Sequence, residues 1–423
     1  MGDKRRKDNA PPSYTVPKPE RMPPMIAPHP TAPTPLLRRL AARATAFVAL
    51  TWLAACVAVP MSETTDTGIA IDPNAPVQVA LLVPAGSGDS NDAALARNLE
   101  NAARLAIADL NGVQIDLRVY NSGASPALAA QVATQAADEG AKIIVGPLYG
   151  ETVNPVGNAV AGRNINVLAL SNNPTVAGGN VFILGSTFNN TANRLVGYAR
   201  QTGIERFGVV HANDLGGQLG RDAIVQAVQA NGAQVAGVGS YPLSQQGIVG
   251  ATPQIAATLK SAGAQAVFLT AGANADLPLI ATALPEAGIN PVDTRYIGLT
   301  NWAAVPQALA LPGVQGGLFA VPDRGMVTSF EARYRSTYGS DPHPLAGLAY
   351  DGIAAIGALV ATGNRNALTK TALTTRQGFQ GTNGIFRLLP NGLNERGLAV
   401  ATVRGNQMVI LENAPRSFGR AGS

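Results

Sequence analysis

The stretch "VQVALLVPA" (77–85), with "DAALARNLENAARLAIADLNG" (92–112) after it, decides the predicted fold. The first segment is a continuous apolar run, which is typical of a strand covered on both faces. The second segment places leucine and alanine at helical spacing from Leu95 to Leu110, and Asn111-Gly112 ends it. A covered strand that leads into a helix of this length predicts the first unit of a parallel α/β sheet.

The same order of strand and helix repeats along most of the chain. Because parallel neighbours need crossover helices, this order predicts an α/β architecture of two doubly wound parallel-sheet lobes. Near the end, Asn391-Gly392 and Gly405-Asn406 separate alternating apolar runs, which predicts short antiparallel hairpins. The further predicted strands are 114–121, 141–148 and 165–171 in the first half, and 206–212, 234–242, 264–272 and 295–301 in the second.

Each predicted lobe is built from two separate parts of the chain. We assign 77–185 plus 321–366 to the first lobe, and 186–320 plus 367–413 to the second, with 414–423 as a tail. Three segments then cross between the lobes. Three crossings predict a hinge.

Basic and then apolar residues precede the predicted lobes. Arg38, Arg39 and Arg43 are followed by the uncharged run Ala44 to Ala55, an order typical of a secretory signal. The run is too short to span a bilayer core, which takes about 20 residues. "LAAC" (53–56) resembles the bacterial lipobox, so we expect the thiol of Cys56 to be lipidated and Cys56 to become the first mature residue.

The sequence on either side of this signal is not expected to fold. Residues 1–55 include a proline-rich leader that cannot pack a core, so we expect disorder there and Met22 or Met25 as the true start. Residues 56–76 lack periodicity and carry Pro, Thr, Ser and Gly, which predicts a flexible tether.

Charge and motifs exclude several classes of protein. Residues 1–43 carry nine Lys or Arg and three Asp or Glu, so the rest of the chain is near −1 although the whole chain is +5. The rest has no basic cluster, which excludes nucleic acid as a partner. His211 and His343 have no ligand-spaced partners and no catalytic motif is present, so we expect no metal, no cofactor and no enzyme activity.

The stretches "IIVGPLYGET" (143–152), "AYDGIAAIGALV" (349–360) and "GTNGIFRLLPNG" (381–392) resemble motifs of the type I periplasmic binding protein superfamily, of the kind that binds leucine, isoleucine and valine. "IIVGPLYGET" (143–152) is similar to its first cleft strand and turn, and "AYDGIAAIGALV" (349–360) to its Tyr-Asp helix in the first lobe. "GTNGIFRLLPNG" (381–392) is similar to its closing hairpin. Within the superfamily, "VGPL" (145–148) followed by "NVLALSNNP" (166–174) resembles the penicillin-binding protein activator lipoproteins.

Two functions follow from this resemblance. The resemblance to the activators implies that this protein is a periplasm-facing lipoprotein that binds and stimulates a bifunctional peptidoglycan synthase. The activators of enterobacteria also carry an amino-terminal helical-repeat domain, for which the stretch between Cys56 and the first predicted strand has no counterpart. The alternative is a solute-binding receptor of an ABC importer for amino acids or similar small polar solutes.

The predicted cleft lies beyond the carboxyl ends of the strands, where open α/β sheets bind ligands. In "LYGET" (148–152) the backbone of Tyr149 and Gly150 and the hydroxyl of Thr152 are suited to a carboxylate, because helix amino termini present unpaired N–H groups. Amino-acid-binding relatives often carry paired serines at this turn, so Tyr149 could fill the cleft instead. The candidate cleft residues are Ser87, Tyr149, Gly150, Thr152, Ser171, Asn172, Asn173, Asp214, Thr270, Asn301 and Trp302.

Several of these candidates have a structural interpretation as well. Thr152 is a possible helix cap, and the "SNNP" stretch (171–174) contains ordinary turn formers. Asp214 could meet a ligand's ammonium group or lie exposed to solvent. Trp302 could stack on a ligand or plug the hinge.

Lipidation of Cys56 gives the first testable prediction. Val57 and Ala58 follow the cysteine without an aspartate, which by the sorting tendency of bacterial lipoproteins indicates the outer membrane. Several acyl chains hold a protein firmly in a membrane, so replacing Cys56 by Ser should move the protein to the soluble fraction and remove the mass of the lipid. Fractionation with mass spectrometry tests this; a Cys56→Ser protein still in the membrane at wild-type mass would contradict it.

Overall fold

A computed structural model describes residues 66–419. The predictions about the leader, the signal, the start at Met22 or Met25 and the lipidated Cys56 lie outside the described residues, as do most of the tether and the end of the tail. No helix within 66–419 is long and apolar enough to cross a membrane. The predicted α/β class is confirmed, with two parallel sheets and helices on their faces.

The first sheet has five strands in the order β2-β1-β3-β4-β5, and all neighbours are parallel. The quoted run at 77–85 forms the second strand of this order, and its apolar residues are buried because helices cover both faces of the sheet. The strands are β1 (Val77–Val83), β2 (Ile115–Asn121), β3 (Ile143–Val145), β4 (Asn166–Ala169) and β5 (Val181–Ile183).

Four helices cover this sheet, and a fifth, Arg324–Tyr338, packs against two of them. On one face α1 and α9 pack together, and on the other face α2 and α3 do. Small residues permit the close approach: a side chain at Gly352 of α9 would lie 3.0 Å from Leu184. The helices are α1 (Ser90–Ala108), α2 (Pro126–Asp138), α3 (Gly150–Ala161), and, later in the chain, α8 (Arg324–Tyr338) and α9 (Ala346–Val360).

The second sheet has seven strands in the order β15-β14-β10-β9-β8-β6-β7. The five strands from β10 to β7 are parallel, and β14 and β15 add to the β10 edge as an antiparallel hairpin, as the alternating pattern predicts. The strands are β6 (Arg206–Ala212), β7 (Gln234–Tyr241), β8 (Ala266–Leu269), β9 (Arg295–Gly298), β10 (Leu318–Val321), β14 (Ala399–Arg404) and β15 (Gln407–Glu412).

Four helices pack on the two faces of this second sheet. One of them begins at Leu215, so the glycines at 216, 217 and 220 are helical and only two residues separate this helix from β6. The helices are α4 (Phe188–Gln201), α5 (Leu215–Ala230), α6 (Gln245–Ser261) and α7 (Leu277–Glu286).

The structure differs from the expected lobe boundaries at the third crossing. A short helix, α10 (Lys370–Leu373), and a three-stranded antiparallel sheet follow α9, and Phe379 and Phe386 of that sheet belong to the first lobe's core. The chain therefore enters the second sheet only after residue 396, because these aromatic side chains bury against α9. The small sheet consists of β11 (Phe379–Gly381), β12 (Gly384–Leu388) and β13 (Asn394–Arg396).

All three crossings bind to this small sheet. At the second crossing, the amide of Asp323 donates to the carbonyl of Asn383 at 3.0 Å. At the third crossing, the amide of Gly397 donates to the carbonyl of Ile385 at 2.8 Å. The first crossing is held by side chains, as described next.

Two side chains of β13 hold the first crossing. Nδ2 of Asn394 donates to the carbonyls of residues 183 and 185, at 2.8 and 2.9 Å, and Nη2 of Arg396 donates to the carbonyl between them. Nη1 of Arg396 also pairs with Asp351 of α9 at 3.2 Å, and both charged groups are buried. We call Asn394, Arg396 and Asp351, with the carbonyls of 183–185, the hinge clasp.

The buried pair of the hinge clasp predicts a large stability effect. Asp351→Asn leaves the charge of Arg396 buried without compensation, so we expect the free energy of unfolding to fall by about 3–5 kcal/mol. Urea unfolding followed by circular dichroism measures this. The control is Asp341→Asn, which breaks an exposed ion pair with Arg335 and should cost less than about 1 kcal/mol. Equal losses in the two variants would contradict the role of the buried pair.

Candidate functional site

A cavity of about 870 Å³ lies where the carboxyl ends of β3, β4 and β5 meet the hinge. Its volume is within the usual range for small-molecule sites. Five of the predicted cleft residues line it: Tyr149, Gly150, Ser171, Asn172 and Asn173. They come from two neighbouring strand ends, and the parallel pairing of β3 with β4 brings those ends together. The cavity therefore lies at the carboxyl ends of strands, where the sequence analysis expected the cleft.

Three of these residues form one polar corner of the cavity. A Cβ atom built on Gly150 would lie 3.2 Å from Nδ2 of Asn173 and 3.4 Å from Oγ of Ser171, so a methyl group at residue 150 would crowd the corner. Oγ of Ser171 accepts from the amide of Asn173 at 3.1 Å, and Oδ1 of Asn173 accepts from the amide of Thr175 at 3.0 Å. With these oxygens accepting from the backbone, the donor groups that the two side chains offer beside Gly150 are the hydroxyl of Ser171 and the amide nitrogen of Asn173.

The backbone adds donors to the same corner. α3 begins at Gly150, and Tyr149 before it makes no side-chain hydrogen bond to the helix end. The first N–H groups of a helix have no partner within the helix. We refer to Gly150, Ser171 and Asn173, with this helix end, as the donor corner; it is suited to an oxygen atom that accepts hydrogen bonds.

Tyr149 forms the wall beside the donor corner. Its hydroxyl donates to Oδ1 of Asp92 on α1, which fixes the ring in place. This hydrogen bond, assisted by partial burial and by the nearby charges of Asp92, Asp89 and Glu151, raises the pKa of Tyr149 to about 12. Tyr149 thus lines the cavity and is tied to a neighbouring helix.

Other predicted residues serve the fold in the described structure. Thr152 is 1% exposed, and its hydroxyl donates to the carbonyl of Tyr149 at 2.6 Å, so it points away from the cavity. Trp302 is fully buried against Gly298 and Gly317 in the second lobe's core. Neither interpretation from the sequence, stacking on a ligand or plugging the hinge, describes Trp302, which is a core side chain of the second lobe.

The remaining candidates lie away from this cavity. Asp214 caps α5 by accepting from the amide of Gly217 at 2.7 Å, and Ser87 accepts from the amide of Asp89 at 3.1 Å. Thr270 lies at the end of β8 and accepts from the amide of Ala212 at 3.4 Å. Asn301 lines an adjoining cavity of about 360 Å³.

Sequence reasoning missed the hinge residues that line the cavity. Arg396 is one of them, and His343 and Asn383 line both the main and the adjoining cavity. Burial raises the pKa of the Asp351 carboxyl, whereas its partners Arg396 and the Thr382 amide favour the charged form.

The sequence carried only a slight indication that Arg396 has a role here. Asn394 and Arg396 are two residues apart on a strand, so their side chains share a face.

Two lobes, three crossings and a cavity at the hinge define the type I periplasmic binding protein fold. The comparison with protein families agrees: residues 76–407 match the family model described as periplasmic binding protein. The chain belongs to this family. The family implies a location in the periplasm.

Solved structures of similar fold come from several bacteria. A branched-chain amino acid ABC transporter periplasmic ligand-binding protein from Burkholderia xenovorans is 18% identical, with 81% of this chain and 97% of that chain covered and a TM-score of 0.59. An ABC transporter substrate-binding protein from Desulfitobacterium hafniense, in complex with Leu, is 16% identical over 80% of this chain and 100% of that chain, with a TM-score of 0.56.

A third example is a solute binding protein of an ABC transporter from Rhodopseudomonas palustris, in complex with 3,4-dihydroxybenzoic acid. It is 15% identical, covers 80% of this chain and 96% of its own, and has a TM-score of 0.51. Identities this low show the fold alone. No curated protein matches the sequence.

The hydrogen bond between Tyr149 and Asp92 predicts a pH dependence. Because its folded pKa of about 12 lies above the ordinary value of 10.0, the stability that this bond contributes is complete below about pH 10 and is lost as the pH rises through 12. Asp92→Asn should bring the pKa of Tyr149 down towards 10. Tyrosine ¹³Cζ NMR titration measures it, with Tyr149→Phe for assignment.

Glu151→Gln is the matched control for this titration. Glu151 acts on Tyr149 through charge and without a hydrogen bond, so its replacement should lower the pKa less than Asp92→Asn does. A larger effect of Glu151→Gln than of Asp92→Asn would show that charge, rather than the hydrogen bond, controls the tyrosine.

Proposed function

We propose that this protein is a solute-binding receptor that delivers a small molecule to an ABC importer. The donor corner is the observation that carries the proposal, because it opens into a drug-sized cavity beside the hinge. Membership of the family and the similar fold of transporter receptors support the same function. In the proposed complex, an oxygen of the solute accepts hydrogen bonds from Ser171, Asn173 and the start of α3.

Binding at this site would favour closure of the lobes. The cavity is lined by the first lobe and the hinge, including Gly185, Ser186 and Leu398 at the first and third crossings. A solute shifts a conformational equilibrium only if it makes more contacts in one state than in the other. Contacts from the second lobe would be gained on closure, so the bound solute would stabilise the closed state for the importer.

Stimulation of a bifunctional peptidoglycan synthase is the second candidate function. It is favoured by the resemblance of "VGPL" and "NVLALSNNP" to the activators, and by Tyr149 at the turn where amino-acid-binding relatives often have paired serines. Such a partner would be recognised by a few apolar anchors on a surface. Leu215 and Leu243, 71% and 54% exposed in the second lobe, are suited to that role.

Two glycines of α3 provide a matched test of the receptor. Gly150→Ala places a methyl group in the donor corner, so we expect at least about tenfold weaker solute binding, which is about 1.4 kcal/mol. Gly162→Ala, at the other end of the same helix, meets no atom within 4 Å and should leave the affinity unchanged. A thermal-shift screen of small solutes identifies ligands, and calorimetry gives the affinities.

Two results would count against the receptor function. Equal affinities of Gly150→Ala and wild type for a ligand found in the screen would remove the donor corner from the site. A screen without any ligand, together with specific binding to the ectodomain of a bifunctional peptidoglycan synthase, would favour the second candidate.

A further inference from the structure

Outside the donor corner, apolar side chains line much of the cavity, beside the polar side chains of Glu151, Asn172, Ser186, His343, Asn383 and Arg396. Six leucines line it, and the ring of Tyr149 and two prolines, Pro322 and Pro344, add to the same surface. The leucines come from five separate parts of the chain and line a single space. They are Leu95, Leu148, Leu170, Leu345, Leu348 and Leu398. A solute that fills this space has an apolar body and one oxygen-bearing end.

The carboxylates at the strand ends of the second lobe are already engaged. Asp276, 8% exposed, accepts from the amide of Gly272 at 2.7 Å and from the hydroxyl of Tyr241 at 2.5 Å. Asp214 accepts from the amide of Gly217 to cap α5. Neither aspartate lines the cavity, so each works within its own lobe.

Two charged side chains do line the cavity, and neither is a buried partner for an ammonium group. Arg396 is a cation whose charge is balanced by Asp351. Glu151 is exposed to solvent on the first turn of α3, where water weakens its electrostatic effect. Moving an ammonium group from water into a space lined by leucine, without a partner, carries a large desolvation cost.

We propose that the solute is an apolar carboxylate without an α-ammonium group. Its carboxylate accepts hydrogen bonds from the donor corner, and its aliphatic or aromatic body packs against the six leucines. This inference rests on the proposed receptor function and narrows it: the cavity discriminates against free amino acids of the same carbon skeleton.

A pair of probes that differ only in the amino group tests this inference. 4-Methylpentanoate has the carbon skeleton of L-leucine without its ammonium group. At about 10 mM probe and pH 7, we expect 4-methylpentanoate to raise the Tm of the full-length protein by a few degrees and L-leucine to leave it unchanged. Calorimetry should give at least about tenfold tighter binding of 4-methylpentanoate.

Two Asn→Asp substitutions test whether the carboxylate of the solute binds at the donor corner. Asn173→Asp keeps the oxygen that accepts from the Thr175 amide but replaces the amide hydrogens of the donor corner by a negative charge, so the shift with 4-methylpentanoate should be lost. Asn213→Asp makes the same change at an exposed residue outside the cavity and should keep the shift.

The outcomes separate this inference from the receptor function itself. Binding of L-leucine as tight as that of 4-methylpentanoate, or tighter, overturns the inference and leaves the receptor function standing. The absence of a shift with 4-methylpentanoate also overturns it, whereas the receptor function is then decided by the wider solute screen. A shift that persists in Asn173→Asp overturns the placement of the carboxylate at the donor corner.

Discussion

The hinge clasp is the constraint on which the rest of the structure depends. Three consecutive carbonyls, of residues 183–185, receive hydrogen bonds from the side chains of Asn394 and Arg396, some 210 residues later in the chain. The buried carboxylate of Asp351 holds Arg396 from α9. Because the other two crossings bind to the same small sheet through backbone hydrogen bonds, one element positions all three segments of the hinge.

The clasp also explains why the cavity forms where it does. Gly185 is both held by the clasp and part of the cavity wall, and Arg396 lies in the wall as well. The donor corner is built on β3 and β4, and β5, which ends in the clasped segment, pairs with β4. The strand pairing of the first lobe and the hydrogen bonds at the first crossing therefore place the donor corner at one end of the cavity. Burying a charged pair such as Arg396 and Asp351 has a large desolvation cost. Precise geometry at the hinge is a reason for this pair to be present.

The sequence predicted the parts of this arrangement that depend on local pattern. Apolar runs and helical spacing identified the strands and helices, and the rule of strand ends placed Gly150, Ser171 and Asn173 together before any contact was known. The third crossing was misplaced because Phe379 and Phe386 bury against a helix far from them in sequence, which no local pattern reports. Thr152 was assigned to the cleft, although the tight first turn of α3 directs its hydroxyl to the Tyr149 carbonyl. Arg396 was missed because its role depends on two distant partners, the carbonyl of Leu184 and the carboxylate of Asp351.

The two lobes use their polar groups differently, and this difference bears on specificity. In the second lobe, Asp214 and Asp276 satisfy backbone amides and a tyrosine at their own strand ends, so those polar groups stabilise the lobe. In the first lobe, Ser171 and Asn173 satisfy the backbone with their oxygens and still direct hydrogen-bond donors into the cavity. A site whose polar groups are concentrated on one wall orients a ligand by that wall, and the facing lobe contributes mainly by excluding water. In the proposed receptor, selection among solutes would therefore rest on the first lobe and the hinge, whereas the second lobe would determine how completely the cavity closes.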